Sequence, residues 1–259
     1  MKLAISGKGG VGKSTVSAAL AMLLARRGQF VLAVDADPDA NLASALGMPS
    51  AEQQAIIPIS KQDDLIRERT GAEPGKSGQV FKLNPDCSDI AERFALNCNG
   101  VSLLVLGAVD HAAGGCACPE SILLRGLVTD LILYKDQTLI IDFEAGVEHL
   151  GRATARGVDA MLVVVEPGQR SVDCARRIAR MADELGIAQT VAVANKITSP
   201  EDQEFLESAL SEIPLLGSIP YEKEIHDADR DGQSVLHNLS AKIVDHFGTI
   251  LVALEESIR

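Results

Sequence analysis

Gly7-Lys8-Gly9-Gly10-Val11-Gly12-Lys13-Ser14-Thr15 decides how this chain is read. The stretch follows the apolar run Leu3 to Ser6. It precedes apolar residues at helical spacing from Lys13 to Arg27, which stop at Gly28. A Gly-x4-Gly-Lys-Ser pattern between a strand and a helix is a phosphate site rather than a chance match. Gly9, Gly10 and Gly12 let backbone N–H groups turn inward around phosphate oxygens with no Cβ in the way. The helix opening near Lys13 aims the positive end of its dipole at the same place. In such a loop Lys13 reaches the β- and γ-phosphates and Ser14 ligates Mg²⁺. ATP or ADP with Mg²⁺ is the expected ligand, held by the whole stretch from Gly7 to Thr15, Val11 included.

Outward from the loop, short β-rich runs alternate with helical patterns. The strand-like runs are Phe30 to Val34, Val101 to Leu106, Thr138 to Ile141, Ala160 to Val165, Thr190 to Ala194 and Leu215 to Ile219. Continuous apolar runs separated by helices predict an α/β fold. Its mostly parallel sheet, of the P-loop NTPase kind, is flanked by helices on both faces. Ligands of such sheets sit at the carboxyl ends of the strands. The residues that carry chemistry do follow the runs: Gly7, Asp35, Asp142, Glu166 and Asn195. The chain reads as a single domain over residues 1–259. Pro49 to Asn99 interrupts the alternation with polar sequence, Pro58, Pro74 and Pro85, and clustered charge from Asp63 to Arg69. A helical insertion followed by a short strand near Gln79 to Leu83 is expected there, either as a surface excursion or as a lid or partner-docking element.

Composition narrows the function classes. The 259 residues are 46% hydrophobic with no Trp and 2 Tyr, which predicts an aliphatic core. A net charge of −12 repels phosphate backbones, so neither nucleic acid nor an anionic membrane is an expected partner. The start at Met1 runs straight into the glycine loop with no signal-like apolar segment. A cytoplasmic protein with reduced thiols is expected, so close cysteines are metal or redox candidates before they are a disulfide. The helical pattern from Ser240 to Ser257 carries acidic residues on its polar face, and is expected to pack on the sheet rather than enter lipid.

The loop and two acidic segments resemble the deviant Walker A group of MinD, ParA and the nitrogenase iron protein. The carriers are Lys8 directly after the first glycine, Asp35-Ala36-Asp37-Pro38 after the second run, and Asp142-x3-Gly146 after Ile140-Ile141. The resemblance implies that Lys8 reaches across a homodimer to the partner's nucleotide, like an arginine finger in trans. It implies that Asp35 holds a water on Mg²⁺ and that Asp37 orients the attacking water. Asp142 fits the Walker B position, on Mg²⁺ directly or through water, and the Gly146 N–H is placed to sense the γ-phosphate. Glu144 stands where the group usually has Thr. Asn195, ahead of Lys196, is a candidate reader of the base through its amide. The Asp that selects guanine in GTPases would fall at Thr198, which favours ATP. Pro220 is a candidate flank for the adenine.

Gly114-Gly115-Cys116-Ala117-Cys118-Pro119 sits between a strand and the helical run Ser121 to Leu133. Two sulfurs are too few to close a soft-metal site, and a two-fold dimer makes four. With Glu144-Ala145-Gly146-x-Glu148-His149-Leu150, this segment resembles the CooC-type nickel-insertion ATPases that serve carbon monoxide dehydrogenase maturation. The resemblance covers Gly7 to about Pro220. It implies Ni²⁺ or Zn²⁺ on Cys116 and Cys118 at a dimer interface, and carbon monoxide dehydrogenase apoenzyme as client. His111 is a weaker ligand candidate, and Cys87, Cys98 and Cys174 read as ordinary thiols. Two readings compete: an iron–sulfur electron-transfer ATPase like the nitrogenase iron protein, and a regulatory ATPase like MinD or ParA.

Overall fold

The computed structural model describes residues 1–258 apart from 77, 109–117, 135–136, 145–149, 151 and 238. The amino-terminal part runs β1 (Lys2–Gly7), α1 (Lys13–Arg26), β2 (Val31–Ala36), α2 (Leu42–Ala45), α3 (Ser50–Ala55), α4 (Asp63–Thr70), α5 (Ile90–Phe94), β3 (Leu96–Cys98) and β4 (Val101–Val105). The remainder runs α6 (Pro119–Tyr134), β5 (Thr138–Phe143), α7 (Arg152–Ala155), β6 (Ala160–Val165), α8 (Gln169–Leu185), β7 (Thr190–Ile197), α9 (Pro200–Ala209), β8 (Leu215–Pro220), α10 (Lys223–Arg230) and α11 (Ala241–Ser257).

Among the described residues the strands form one sheet in the order β3-β4-β2-β5-β1-β6-β7-β8. All pairs are parallel except β3 with β4. The strands are aliphatic because both faces are covered. Every residue of β2 and β6 is buried. Alternate residues serve opposite faces. Leu32, Val34, Leu139 and Ile141 join Leu123, Leu127 and Ile178 of α6 and α8 on one side. Ala33, Ile140 and Leu162 join Leu20, Leu24 and Phe247 of α1 and α11 on the other.

Local signals end the helices as expected. Beyond α1, Gly28 takes φ +81°, and at the end of α8 Gly186 takes φ +83°, the left-handed region where glycine carries no Cβ penalty. Helix α9 opens on Ser199, whose Oγ accepts the Asp202 N–H at 3.3 Å, with Pro200 next. Helix α11 buries Ile243, Phe247, Ile250, Leu251 and Leu254. Among the described residues no helix is long and apolar enough to cross a membrane.

Two local expectations are corrected. No strand forms over Gln79 to Leu83: Val80 is 97% and Leu83 66% exposed, so no apolar face exists there to pair. The added strand is β3, which lies antiparallel on β4 after the turn at Asn99 and Gly100, both at positive φ. Phe30 is 63% exposed and precedes β2 rather than opening it. Strands β5 and β7 also run past Ile141 and Ala194, so Asp142 and Asn195 are strand residues.

Candidate functional site

Strand order reverses about β1, which lies between β5 and β6, and the crevice beyond the carboxyl end of β1 is the place for a ligand. Gly10 and Gly12, at φ +82° and +95°, adopt backbone that side chains resist. Val11 between them is fully buried and anchors the loop in the core. The two loop lysines part company. Lys13 is buried, with Nζ 3.4 Å from Asp37 Oδ2. Lys8 is half-exposed, with Nζ 3.1 Å from Oε1 of Glu166, the residue just after β6. Beside Gly12, Lys13 and Thr15 opens a cavity of about 420 Å³, lined also by Pro220, Tyr221 and Ile225.

Asp35 and Asp142 are register partners on neighbouring strands, and both are fully buried. The Asp35 carboxylate accepts the N–H groups of Asp37 at 3.2 Å and Leu42 at 2.9 Å, which folds the chain around it. Burial, and then the charge of Asp142, push its pKa up to about 7 despite those bonds. Burial likewise pushes Asp142 up to about 6, against the Ser14 hydroxyl and the Lys13 ammonium. Neither oxygen of Asp142 meets a donor at full hydrogen-bonding geometry. Two facing buried carboxylates, one of them orphaned, beside a serine hydroxyl form a hard-oxygen set that suits Mg²⁺. Among the described residues no group of three or more His, Cys, Asp or Glu side chains is poised to hold a metal ion, so such a cation would draw on these few donors and the phosphates.

On the base side, Asn195 is buried and its Nδ2 donates to the Val11 carbonyl at 2.8 Å. One amide donor is spent on the loop, leaving Oδ1 and the second N–H for a base. The Thr198 hydroxyl donates to Asp202 at 2.6 Å, so this position braces the start of α9. Pro220 ends β8 and lines the cavity. Sequence reading did not find the company kept by Glu166, whose second oxygen lies 3.4 Å from Lys196 Nζ. The only signal was its place after a strand.

The cysteines separate by burial. Cys87, Cys98 and Cys174 are buried, and burial raises the pKa of Cys98 and pushes that of Cys87 up to about 12. Cys118 is half-buried and caps α6: its sulfur accepts the Ser121 N–H at 3.5 Å and lies 3.1 Å from the Ser121 hydroxyl. Cys116, His111, Gly146 and His149 lie outside the described residues. Ser6 Oγ donates to the Glu144 carbonyl at 2.7 Å, and the Glu144 side chain is exposed.

Comparison with known proteins gives the following. Residues 2–235 match the CobQ/CobB/MinD/ParA nucleotide binding domain. The chain is 45% identical to the carbon monoxide dehydrogenase accessory protein CooC of Rhodospirillum rubrum, over 100% of this chain and 97% of that one. It is 38% identical to an uncharacterized ATP-binding protein of Methanocaldococcus jannaschii, over 99% and 100%. Among solved structures, the cell division ATPase MinD of Pyrococcus furiosus superposes with TM-score 0.69 at 24% identity, covering 99% of each chain. The MinC:MinD complex of Aquifex aeolicus gives 0.70 at 19% identity, covering 99% and 96%. At those identities the structures speak for the fold.

Proposed function

Because this chain belongs to the CobQ/CobB/MinD/ParA nucleotide-binding family, in its CooC-type branch, and is a nucleotide-binding ATPase, we propose that it inserts nickel into carbon monoxide dehydrogenase as a homodimer. The observation that carries the reading is Cys118, the half-buried thiol among the described cysteines, capping α6 two residues after Cys116. One chain supplies two sulfurs, and a second copy completes an S₄ site for Ni²⁺ or Zn²⁺ on the two-fold axis.

In this reading the loop amides of Gly9 to Thr15 hold the phosphates of ATP, and Lys13 balances the β- and γ-phosphate charge. Ser14 and Asp142, with Asp35 behind them, hold Mg²⁺, which screens the phosphate charge when bound. Lys13 exchanges its present partner for phosphate, which frees Asp37 to orient the attacking water. Lys8 of each chain reaches the nucleotide of the other, so hydrolysis requires two chains. Pro220 and the free edge of the Asn195 amide flank the adenine. ATP closes the dimer, hydrolysis reopens it, and the metal passes to the apoenzyme at one of those transitions.

The test is titration of the Cys116→Ser, Cys118→Ser double variant with Ni²⁺ and Zn²⁺, beside the wild type. The variant is expected to lose the tight site at one ion per two chains while retaining ATP binding. Wild-type Ni²⁺ affinity in the variant would place the metal elsewhere.

A further inference from the structure

Lys8 does not stand free in the single chain. Its ammonium rests on Glu166 Oε1 at 3.1 Å, and the pair is 38% and 26% exposed. The other oxygen of Glu166 lies 3.4 Å from Lys196 Nζ. Lys196 in turn donates to the carbonyl of Gly10, inside the phosphate loop. It does so from φ +60°, a backbone conformation that a residue with a Cβ adopts only when its surroundings hold it there. Glu166 is itself fixed, because its N–H donates to Ser171 Oγ at 3.1 Å. Strand β6, which ends one residue before Glu166, pairs Val164 with Gly7, so the carboxylate stands beside the loop by sheet register.

We propose that Glu166 is a positioning residue for Lys8: a carboxylate latch that holds the ammonium over its own chain until ATP pairs two chains and draws it across. The inference rests on the reading that Lys8 acts in trans. Its physical content is a competition between two anions for one cation. The first is Glu166, always present and already neutralised in part by Lys196. The second is the phosphate of a partner's nucleotide. Lys196 makes release feasible, since Glu166 keeps a cation when Lys8 leaves and no carboxylate is stranded. The half-exposed setting makes the latch weak enough to open. Ion pairs of this exposure shift an equilibrium by about two- to five-fold, and salt screens them.

The experiment is ATP-dependent self-association of the full chain, by sedimentation velocity with Mg²⁺ and a non-hydrolysable ATP analogue. It compares wild type, Glu166→Gln and Glu166→Asp at low and high salt. Thermal melting reports that each variant is folded. Glu166→Gln, which keeps the shape and loses the charge, is expected to pair at about four- to twenty-five-fold lower protein concentration, because two latches open for each dimer formed. High salt is expected to erase the difference, and Glu166→Asp to return toward wild type. Wild type that pairs with ATP while folded Glu166→Gln pairs no better would overturn the latch alone. Wild type that never pairs with ATP, and Lys8→Ala that hydrolyses ATP as wild type does, would overturn the trans reading and the latch together. A merely structural Glu166 would move the melting temperature and leave salt-dependent pairing unchanged.

Discussion

Gly12→Ala is the substitution whose effect can be worked out most closely. Gly12 sits at φ +95°, and a Cβ there would overlap Nδ2 of Asn195. The left-handed backbone alone costs a residue with a Cβ about 1–2 kcal/mol. The overlap must then be relieved. Backbone on the loop side is fixed by Val11 in the core, so the amide of Asn195 yields. It loses its 2.8 Å bond to the Val11 carbonyl, in a buried setting. Leaving that acceptor without a donor costs about 1–3 kcal/mol. Gly12→Ala should therefore lose about 2–5 kcal/mol, and Asn195→Ala alone about 1–3 kcal/mol. The double variant settles the mechanism. If the alanine methyl already breaks the Asn195–Val11 bond, removing Asn195 as well adds nothing. The double variant should then equal Gly12→Ala to within about 0.5 kcal/mol. The assay is urea unfolding of the nucleotide-free chain, with equal m-values as the check that the unfolded states match. Full additivity of the two single losses would refute the reasoning, because the bond would then survive the methyl group.

Two further predictions come from the buried carboxylates. Burial raises Asp35 to about 7 and Asp142 to about 6, so the folded chain holds protons that the unfolded chain releases. The sign follows: without metal or nucleotide, stability falls as pH rises from about 4 to about 7, and Mg²⁺, which must displace those protons, binds more tightly over the upper part of that range. Melting temperatures measured across this span with and without Mg²⁺–ADP should diverge as pH rises, and parallel curves would contradict it. Asp37→Asn should lower hydrolysis by about a hundredfold or more while ADP binding persists. Single-turnover rates at the wild-type level would remove Asp37 from the reaction.

The central part of this molecule is legible in its sequence because it is determined locally. Gly12 can be read without neighbours because its left-handed backbone favours glycine, and Lys13 because it completes Gly-x4-Gly-Lys-Ser between a strand and a helix. The buried strands are legible by length and composition, because β2 and β6 are six-residue apolar runs rich in valine and too short for a buried helix. The failures share a cause. Gln79 to Leu83 has β-formers in sequence, yet no sheet edge reaches it, and Lys82 is tied by a single N–H bond to Thr70 at 2.8 Å. Leu96 to Cys98 is too short to announce a strand and exists because β4 offers it an edge. The Lys8–Glu166–Lys196 chain spans separations that no local pattern records, and only the register of β1 with β6 and of β6 with β7 brings it together.

The same long-range view changes the standing of the insertion. From sequence, residues 49–99 are a surface excursion or a lid or docking element, and in the structure they contact both stems of the segment that carries the cysteines. On the entering stem, the Ser60 N–H donates to the Leu106 carbonyl at 2.9 Å, and Gly107 at φ +75° leaves no room for a Cβ against Pro58 and Ser60. On the leaving stem, Glu120 beside Cys118 accepts the Gly75 N–H at 3.1 Å. The entering stem is also bound to the acidic switch, since the Leu106 N–H donates to the Asp35 carbonyl at 2.9 Å. Asp35 thus faces two ways, its carboxylate toward Asp142 and its carbonyl toward the chain that leads to Cys116. A displacement of Asp35 by cation or nucleotide must be absorbed by that stem or resisted by the insertion that clamps it. Linkage then sets the form any coupling takes. Whatever factor nucleotide imposes on metal affinity at the proposed cysteine site, metal imposes on nucleotide affinity in return.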